Sequence, residues 1–339
     1  MTGGELLRLL AVHPRVEVVA ATSREFAGRP IHTAHPHLKG FYQGLRFSRL
    51  EESKVLDSDI VFNALPHGVG AQLVGEAVDS GVRVVDLSAD YRFKDPDLYM
   101  RIYKAEHPRP DLLVKARLSI PELVGDKIRG APLVSIPGCN STASILSLAP
   151  LAIHRLVEDR VVIDVKASSS EAGGKPSRWS HHPVREGSVR PYSPWGHRHV
   201  WEVRAFLEDE LGWTPRLSMI THAIPSVRGV LASVHGWLRD GLSFEDLARA
   251  YMSVYRGKQF IRLKPMRPGI AVEPPDVKNV VGSEFAEVGF SLEEEVARVS
   301  GFGAIDNLVR GAAGQAIQSM NLVMGWPEGE GLLVPPIRP

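Results

Sequence analysis

Among 339 residues there is a single cysteine, so an internal disulfide and any zinc site built on paired thiolates are excluded. No apolar run reaches the roughly 20 residues that a membrane-crossing helix needs, because Pro, Ser or charge interrupts each one. Neither sign of charge dominates: 40 Lys and Arg against 39 Asp and Glu leave a net +1. That balance asks for neither nucleic acid nor a membrane surface as partner. Low-complexity tracts, internal repeats and a charged-then-apolar leader are absent as well; the opening Gly4-Glu5-Leu6-Leu7-Arg8-Leu9-Leu10 has the pattern of an amphipathic helix. The expectation is a soluble, cytoplasmic chain whose length suits two domains.

What is present begins with alternation. A helix over Gly3 to Ala11, a strand over Val16 to Ala21, a strand over Asp59 to Ala64, a helix from about Gly70 to Ser80 and a strand over Val82 to Asp86 predict a parallel sheet covered on both faces. Ligands of such sheets bind beyond the carboxyl ends of the strands. After residue 139 the texture changes. Strands over Val161 to Ser168, Leu217 to His222, Gly229 to Leu238 and Glu284 to Ser291, with helices over Arg198 to Leu211 and Ser243 to Tyr255, suggest an α+β unit with an antiparallel sheet. A Gly301-Phe302-Gly303 turn then leads into a last helix from about Ile305 to Met324, rich in small residues and suited to packing back on the first unit.

The lone Cys139 sits in Pro137-Gly138-Cys139-Asn140-Ser141-Thr142, ahead of the apolar run Ile145 to Leu151. If that run is helical, the cysteine lies at its N-terminus, where backbone N–H groups and the helix dipole favour a thiolate. The alternative is a buried thiol acting as a small hydrophobe. A proton carrier for a reactive sulfur is offered by Gly196-His197-Arg198-His199 with Glu202, three residues from His199 on the same helical face. Helix capping and a surface hydrogen bond are the alternative roles for those histidines. Ser168-Ser169-Ser170-Glu171-Ala172-Gly173-Gly174-Lys175 suits a phosphate or other oxyanion, or is simply a solvated loop; the long segment from Ser169 to Gly196 is a functional-loop candidate. Ser23-Arg24-Glu25 stands where a dinucleotide fold reads the adenosine ribose, and Ser with Arg suits a 2′-phosphate, hence NADP; an ordinary surface turn is the other reading. The scattered histidines lack the spacing of a metal site, so none is expected.

Thr2-Gly3-Gly4-Glu5-Leu6-Leu7-Arg8-Leu9-Leu10, Ala64-Leu65-Pro66-His67-Gly68, Asp86-Leu87-Ser88-Ala89-Asp90-Tyr91-Arg92, Pro137-Gly138-Cys139, His197-Arg198-His199 and Asp306-Asn307-Leu308-Val309-Arg310-Gly311-Ala312-Ala313-Gly314-Gln315-Ala316, in this order, resemble the N-acetyl-gamma-glutamyl-phosphate reductase family. The resemblance spans nearly the whole chain. It implies an α/β Rossmann-type NADP domain (1–138 with 304–339) and an α+β catalytic and oligomerisation domain (139–303) like that of aspartate-semialdehyde dehydrogenase, in a dimer or tetramer. Asn140-Ser141-Thr142 after the cysteine, Ser180-His181-His182-Pro183 and Arg190-Pro191-Tyr192 resemble the branch acting on glutamate or aminoadipate phosphates carried by an acidic amino-group carrier protein in lysine or arginine biosynthesis. A reductase of free N-acetylglutamyl phosphate, or an NADP-sensing scaffold, is the alternative. The chain opens at Met1-Thr2-Gly3 with only the last glycine of the family's Gly-x-x-Gly-x-x-Gly turn, so the expectation is either a start placed too late or a fold without its first strand and most of the pyrophosphate cradle.

The resemblance further implies Cys139 as nucleophile, His199 as proton carrier with His197 beside it, and Thr2, Gly3, Ser23, Arg24, Glu25, Pro66 and Asn307 around the cofactor. Arg92, Asn140, Ser169, Gly173 and Glu202 would hold substrate and phosphate. An acyl phosphate would then pass through a Cys139 thioester to a semialdehyde.

Overall fold

Short runs of β-branched residues between amphipathic helices build the first half of the chain, in a computed structural model that describes residues 1–50, 56–174, 176–267 and 273–338. Helix α1 (Thr2–Leu10) leads to β1 (Ala21–Thr22) and β2 (Phe47–Ser48), which pair in parallel. There follow β3 (Ile60–Asn63), α2 (Ala71–Asp79), β4 (Arg83–Asp86), α3 (Pro96–Tyr103), β5 (Arg117–Leu118) and β6 (Leu133–Ser135). These four strands form one parallel sheet in the order β3-β4-β6-β5. The expected strand over Val16 to Ala21 is reduced to its end: only Ala21 and Thr22 find ladder partners, in β2 rather than in the main sheet.

The second half is organised by α4 (Cys139–Ile153), a helix enclosed on all sides and buried from Asn140 to Ala152. Pro150 lies inside it and has no N–H for the carbonyl of Leu146. The Tyr255 hydroxyl donates to that carbonyl instead, and Tyr251 donates to Ser147 O at 2.6 Å, so the proline leaves no buried acceptor unpaired. Around α4 run β7 (Arg160–Ala167), β8 (Arg190–Pro191), α5 (His199–Leu211), β9 (Arg216–Ala223), β10 (Val230–Trp237), α6 (Phe244–Tyr255), β11 (Ile261–Pro265), β12 (Ala286–Glu293) and β13 (Arg298–Ile305). The seven strands are ordered β11-β12-β13-β10-β7-β9-β8. The sheet is mixed rather than antiparallel throughout, because β7 with β9 and β11 with β12 run in parallel.

Gly301 and Gly303 correct the sequence reading most sharply. They form no turn; both lie within β13 on the face that meets α4. A Cβ on Gly303 would come 2.4 Å from the carbonyl oxygen of Ala143, and one on Gly301 2.9 Å from that of Ser147. These glycines let helix and sheet backbones touch. The last helix likewise starts later than expected: Ile305 ends β13, Val309–Ala313 form a π-helical turn, and α7 covers Gly314–Met324.

That closing segment packs on the first sheet as expected. Ser319 meets Ser119 at 2.8 Å, Gln315 donates to Ser119 O at 2.7 Å, and Gly130 N donates to Val323 O at 3.0 Å. At the junction Arg310, wholly buried, reaches Glu122, Glu284 (3.0 Å) and Gln318 (2.9 Å). Burial alone would push Glu122 up, yet Arg310 outweighs it and holds that carboxyl below its ordinary value. For Glu284 burial wins over Arg310, and its carboxyl rises from 4.5 to about 8. A carboxyl raised on folding contributes stability that is lost as pH rises between those values. Glu284→Gln, close in shape to the protonated acid, is therefore expected to match the parent near pH 5 and to exceed it at pH 9 by a few kcal/mol, on the order expected for such a shift. Thermal unfolding midpoints at both pH values check this.

Candidate active site

The carboxyl ends of the first sheet converge on one rim. Asn63 is followed by Ala64-Leu65-Pro66, Asp86 by the turn reaching Arg92, and Ser135 by Ile136-Pro137-Gly138-Cys139, while Thr22, in the separate β1–β2 pair, is followed by Ser23-Arg24-Glu25. In parallel sheets this rim receives ligands. The turn after β4 is locked by its own side chains: Ser88 Oγ donates to Asp86 at 2.9 Å, Asp90 N to Ser88 Oγ at 3.1 Å, and Gly68 N to Asp90 at 2.8 Å. Tyr99 Oη also donates to Asp90, at 2.8 Å. The rigid turn delivers the Arg92 guanidinium, which donates to Leu87 O at 3.1 Å and to Glu202 at 2.7 Å.

Gly138 is the N-cap of α4 and Cys139 its first helical residue, half-buried at the end of β6. His199 opens α5 with its ring laid directly on Gly138, where a Cβ would meet Nε2 at 2.4 Å. A Cβ on Gly311, in the π-helical turn, would likewise stand 2.5 Å from that of Cys139. Two glycines thus let the cysteine, the histidine and the closing segment share one small volume. Neither was singled out for this from sequence, because a glycine beside a cysteine signals a turn as readily as a close approach.

Glu202 sits beneath this group. It is fully buried, accepts from Gly138 N (2.8 Å) and Ser141 Oγ (2.7 Å), pairs with Arg92, and lies 3.8 Å from His199 Nε2. Burial opposes its charge, but Arg92, His199 and these donors prevail and hold the carboxyl down to about 2. Enclosed in this way it anchors the site rather than meeting a phosphate. Burial, chiefly, depresses His199 well below its usual value, so its imidazole is neutral, and its Nδ1 has no hydrogen-bond partner among the described residues. His197 accepts from His199 N at 3.2 Å and packs edge-on to its ring at 4.5 Å; burial and Arg198 push it down to about 4.

The sulfur departs from expectation. Burial, and then the nearby Glu171 carboxylate, push the Cys139 thiol well above its ordinary value, and this outweighs the favour of the helix N-terminus. Glu171 and Tyr192 were not singled out from sequence as site residues. A carboxylate in a Ser- and Gly-rich loop carries no signal of where it points; only the fold brings it to Asn140 and Cys139. Ser169 donates its N–H to Ser226 O at 2.9 Å, and Gly173 ends the short 3-10 turn at φ 77°. Lys175 lies outside the described residues. Asn307 spends its amide on the loop itself, accepting from Gly229 N at 2.8 Å and donating to Ser170 Oγ at 2.8 Å. It sets the position of residues 168–170.

For a dinucleotide the rim offers open space over the first turn of α1. A Cβ on Gly3 would meet nothing within 4 Å, and Met1 gives that turn no side-chain cap. Thr2 and Gly3 therefore fit a pyrophosphate at a helix N-terminus. Ser23 accepts from Phe26 N at 3.2 Å, and Arg24 and Glu25 are exposed beside it, while Pro66 is exposed after β3. An open helix N-terminus suits a pyrophosphate, and an exposed cation at Arg24 suits a 2′-phosphate. A thiol, a neutral imidazole and a buried carboxylate–guanidinium pair next to such a rim are equipped for acyl transfer followed by hydride transfer.

Comparisons with known proteins agree with this fold. The semialdehyde dehydrogenase NAD binding domain matches residues 1–131, and the semialdehyde dehydrogenase dimerisation domain matches residues 139–307. Aspartate semialdehyde dehydrogenase II of Vibrio cholerae superposes with a TM-score of 0.71 at 15% identity, over 96% of this chain and 95% of that one. The Candida albicans enzyme with NADP gives 0.68 at 16%, with the same coverage. These two show the fold. In sequence, the LysW-L-2-aminoadipate/LysW-L-glutamate phosphate reductase of Sulfurisphaera tokodaii is 48% identical over 100% of this chain and 96% of its own. That of Sulfolobus acidocaldarius is also 48% identical, with the same coverage. A protein of Aeropyrum pernix that carries the same name provisionally is 59% identical, again over 100% and 96%. The chain belongs to the semialdehyde dehydrogenase family, in the branch of these phosphate reductases.

Proposed function

We propose that the protein reduces an acyl phosphate on glutamate or 2-aminoadipate, carried by an acidic amino-group carrier protein, to the semialdehyde with NADPH. The observation that carries this reading is the seating of Cys139 on the first turn of α4, with His199 laid on Gly138 and Glu202 fixing Gly138 from below. Sulfur attacks the acyl carbon, the C–O bond to phosphorus breaks with its electron pair, and phosphate leaves a thioester on Cys139. Bound NADPH supplies the hydride that reduces the thioester. His199, neutral and with a ring nitrogen unspent, stabilises the oxygen that becomes negative by a hydrogen bond from its ring N–H, and the bond is given up as the carbonyl of the aldehyde re-forms and the sulfur is expelled. Arg92, fixed by Glu202, places positive charge beside the reacting carbonyl, and Asn140, Ser169 and Gly173 hold the substrate and its phosphate. Thr2, Gly3, Ser23, Arg24, Glu25 and Pro66 receive the dinucleotide, with the Arg24 cation selecting the 2′-phosphate.

We assign residues 1–138 with 304–339 to dinucleotide binding and 139–303 to catalysis and assembly. The sheet face opposite α4, where His222 meets Asp164 at 3.0 Å and His235 meets Ser300 at 3.0 Å, is the dimer face in this reading. No helix among the described residues is long and apolar enough to cross a membrane. A reductase drawing on NADPH for biosynthesis works in the cytoplasm.

The carrier is supported by the arm over residues 176–198. Its Trp195 is 98% exposed, and Arg178 and Arg190 stack on Trp179 at 5.1 and 4.5 Å. Cations flanking exposed aromatics suit an acidic protein surface. The test is the reverse reaction, semialdehyde oxidation with NADP and inorganic phosphate. Activity is expected with the carrier-linked aminoadipate or glutamate semialdehyde; activity confined to N-acetylglutamate semialdehyde overturns the carrier assignment. Arg178→Glu combined with Arg190→Glu is expected to raise KM for the carrier-linked substrate about tenfold or more while leaving a short carrier-free semialdehyde unaffected.

A further inference from the structure

None of the steps above says where the proton of the Cys139 thiol goes, and the site contains a carboxyl group that those steps leave unused. Ser169 N donates to Ser226 O (2.9 Å) and Ser170 N to Val227 O (3.1 Å), pinning the short turn Ser169–Ala172 so that Glu171 points back at the start of α4. With its nitrogen facing that carboxylate, the Asn140 amide donates to both Glu171 oxygens, at 3.0 and 3.2 Å. In this orientation Cys139 Sγ lies 3.8 Å from the amide nitrogen that faces Glu171, and the Tyr192 hydroxyl lies 3.4 Å from the amide oxygen. The Cys139 thiol and the Tyr192 hydroxyl both stand close enough to Glu171 to favour its charge. Asn140 and Tyr192 thus aim one carboxylate at the one sulfur in the chain.

We propose that Glu171 is the base that takes the proton from Cys139, with Asn140 and Tyr192 positioning it, while His199 serves the carbonyl oxygen alone. As the S–H bond breaks, its proton passes to a Glu171 oxygen and the sulfur pair attacks the acyl carbon. The departing phosphate takes the proton as the C–O bond breaks, which restores the carboxylate. Every proton and electron pair is accounted for without a further reactant. Two assignments of labour follow from the geometry. His199 is held toward Glu202 and over Gly138, whereas Glu171 and the sulfur share the Asn140 amide.

The charged groups facing this pair support the same division. Arg185 is the cation that lowers Glu171, but its guanidinium is committed to Ala167 O (2.8 Å) and Ile224 O (2.9 Å). Arg92 and Glu202 face the sulfur from the other side, and Tyr192 faces both groups. Burial pushes Glu171 up to about 7, against the hydrogen bonds that favour its charge. A base matched to neutral pH gains most from proton transfer there. It also explains why the thiol is not a standing thiolate: while Glu171 is ionised the sulfur keeps its proton, and it becomes nucleophilic as the carboxylate takes that proton.

The proposal rests on Cys139 being the nucleophile, and its decisive test needs no acyl phosphate. Because Cys139 is the only cysteine, iodoacetamide reports on it alone in the full-length protein. For a base, Glu171→Gln slows alkylation below pH 8 by tenfold or more and moves the limb of the pH–rate profile upward, and Glu171→Asp restores part of the rate. If Glu171 merely repels a thiolate, removing its charge speeds alkylation, and an unchanged or faster rate in Glu171→Gln overturns the proposal. In the reverse reaction kcat/KM of Glu171→Gln falls about 10²-fold or more, with loss of the limb near pH 7 and unchanged NADP affinity. Equal impairment of the Gln and Asp variants, with lowered unfolding midpoints, indicates a structural role and also rejects it. A failure of the carrier-linked substrate would leave the alkylation result standing.

Discussion

Replacing Cys139 with serine is expected to lower turnover by at least about 10⁴-fold while leaving folding and NADP binding intact. Serine fits the half-buried position at the start of α4, so the fold loses little. The chemistry loses its covalent intermediate. A hydroxyl has no base here strong enough to make it an alkoxide, and without a thioester neither phosphate release nor hydride acceptance can proceed. Because the residue acts at every turnover, the loss falls on kcat rather than KM. The measurement is semialdehyde oxidation with NADP and inorganic phosphate beside NADP affinity; residual activity above about one part in a hundred would place the nucleophile elsewhere.

Glu202→Gln is expected to damage both stability and catalysis. The side chain is enclosed and holds Gly138 N, Ser141 Oγ and Arg92 together, and Arg92 itself is only 9% exposed. Breaking a buried pair leaves one charge stranded, at a cost of about 3–5 kcal/mol. The sign of the pH dependence follows from the depressed carboxyl. Its folded value of about 2 lies below its ordinary 4.5, so its contribution is fully present above the latter and is lost as pH falls toward the former. The difference in unfolding midpoint between parent and variant should be widest above pH 4.5 and close toward pH 2. Activity should drop as well, because Arg92 and Gly138 lose the group that fixes them under His199.

The alternating half of the fold was legible because β-branched strands carry their own period: Ile60 to Asn63 and Val82 to Asp86 stand out between amphipathic helices. That Cys139 and His199 open helices was legible for a related reason, since rare residue types at helix starts are conspicuous, whereas the enclosure of Glu202 was not. Hidden features depended on contacts between distant segments. Gly301 and Gly303 read as a turn because sequence records the missing side chain and not the helix backbone pressing on it. Strands β6 and β11 were too short or too polar to stand out. Glu171 and Asn140 are 31 positions apart, and only the folded loop makes them partners. The high proton affinity of the thiol followed from burial first and from the approach of Glu171 second, whereas the local sequence pointed the other way.

Ser319, Gln315, Val323 and Arg310 seal the first sheet from the far end of the polypeptide. A ribosome delivers the residues through Ala131 well before these arrive, at about 5–20 residues per second, so the early half waits roughly 10–40 s for its cover. Through that interval Ile120, Val134 and Ile136, all fully enclosed in the finished molecule, face water. The nascent chain is then at its stickiest, and maturation is governed by arrival of its closing stretch rather than by the speed of local strand pairing.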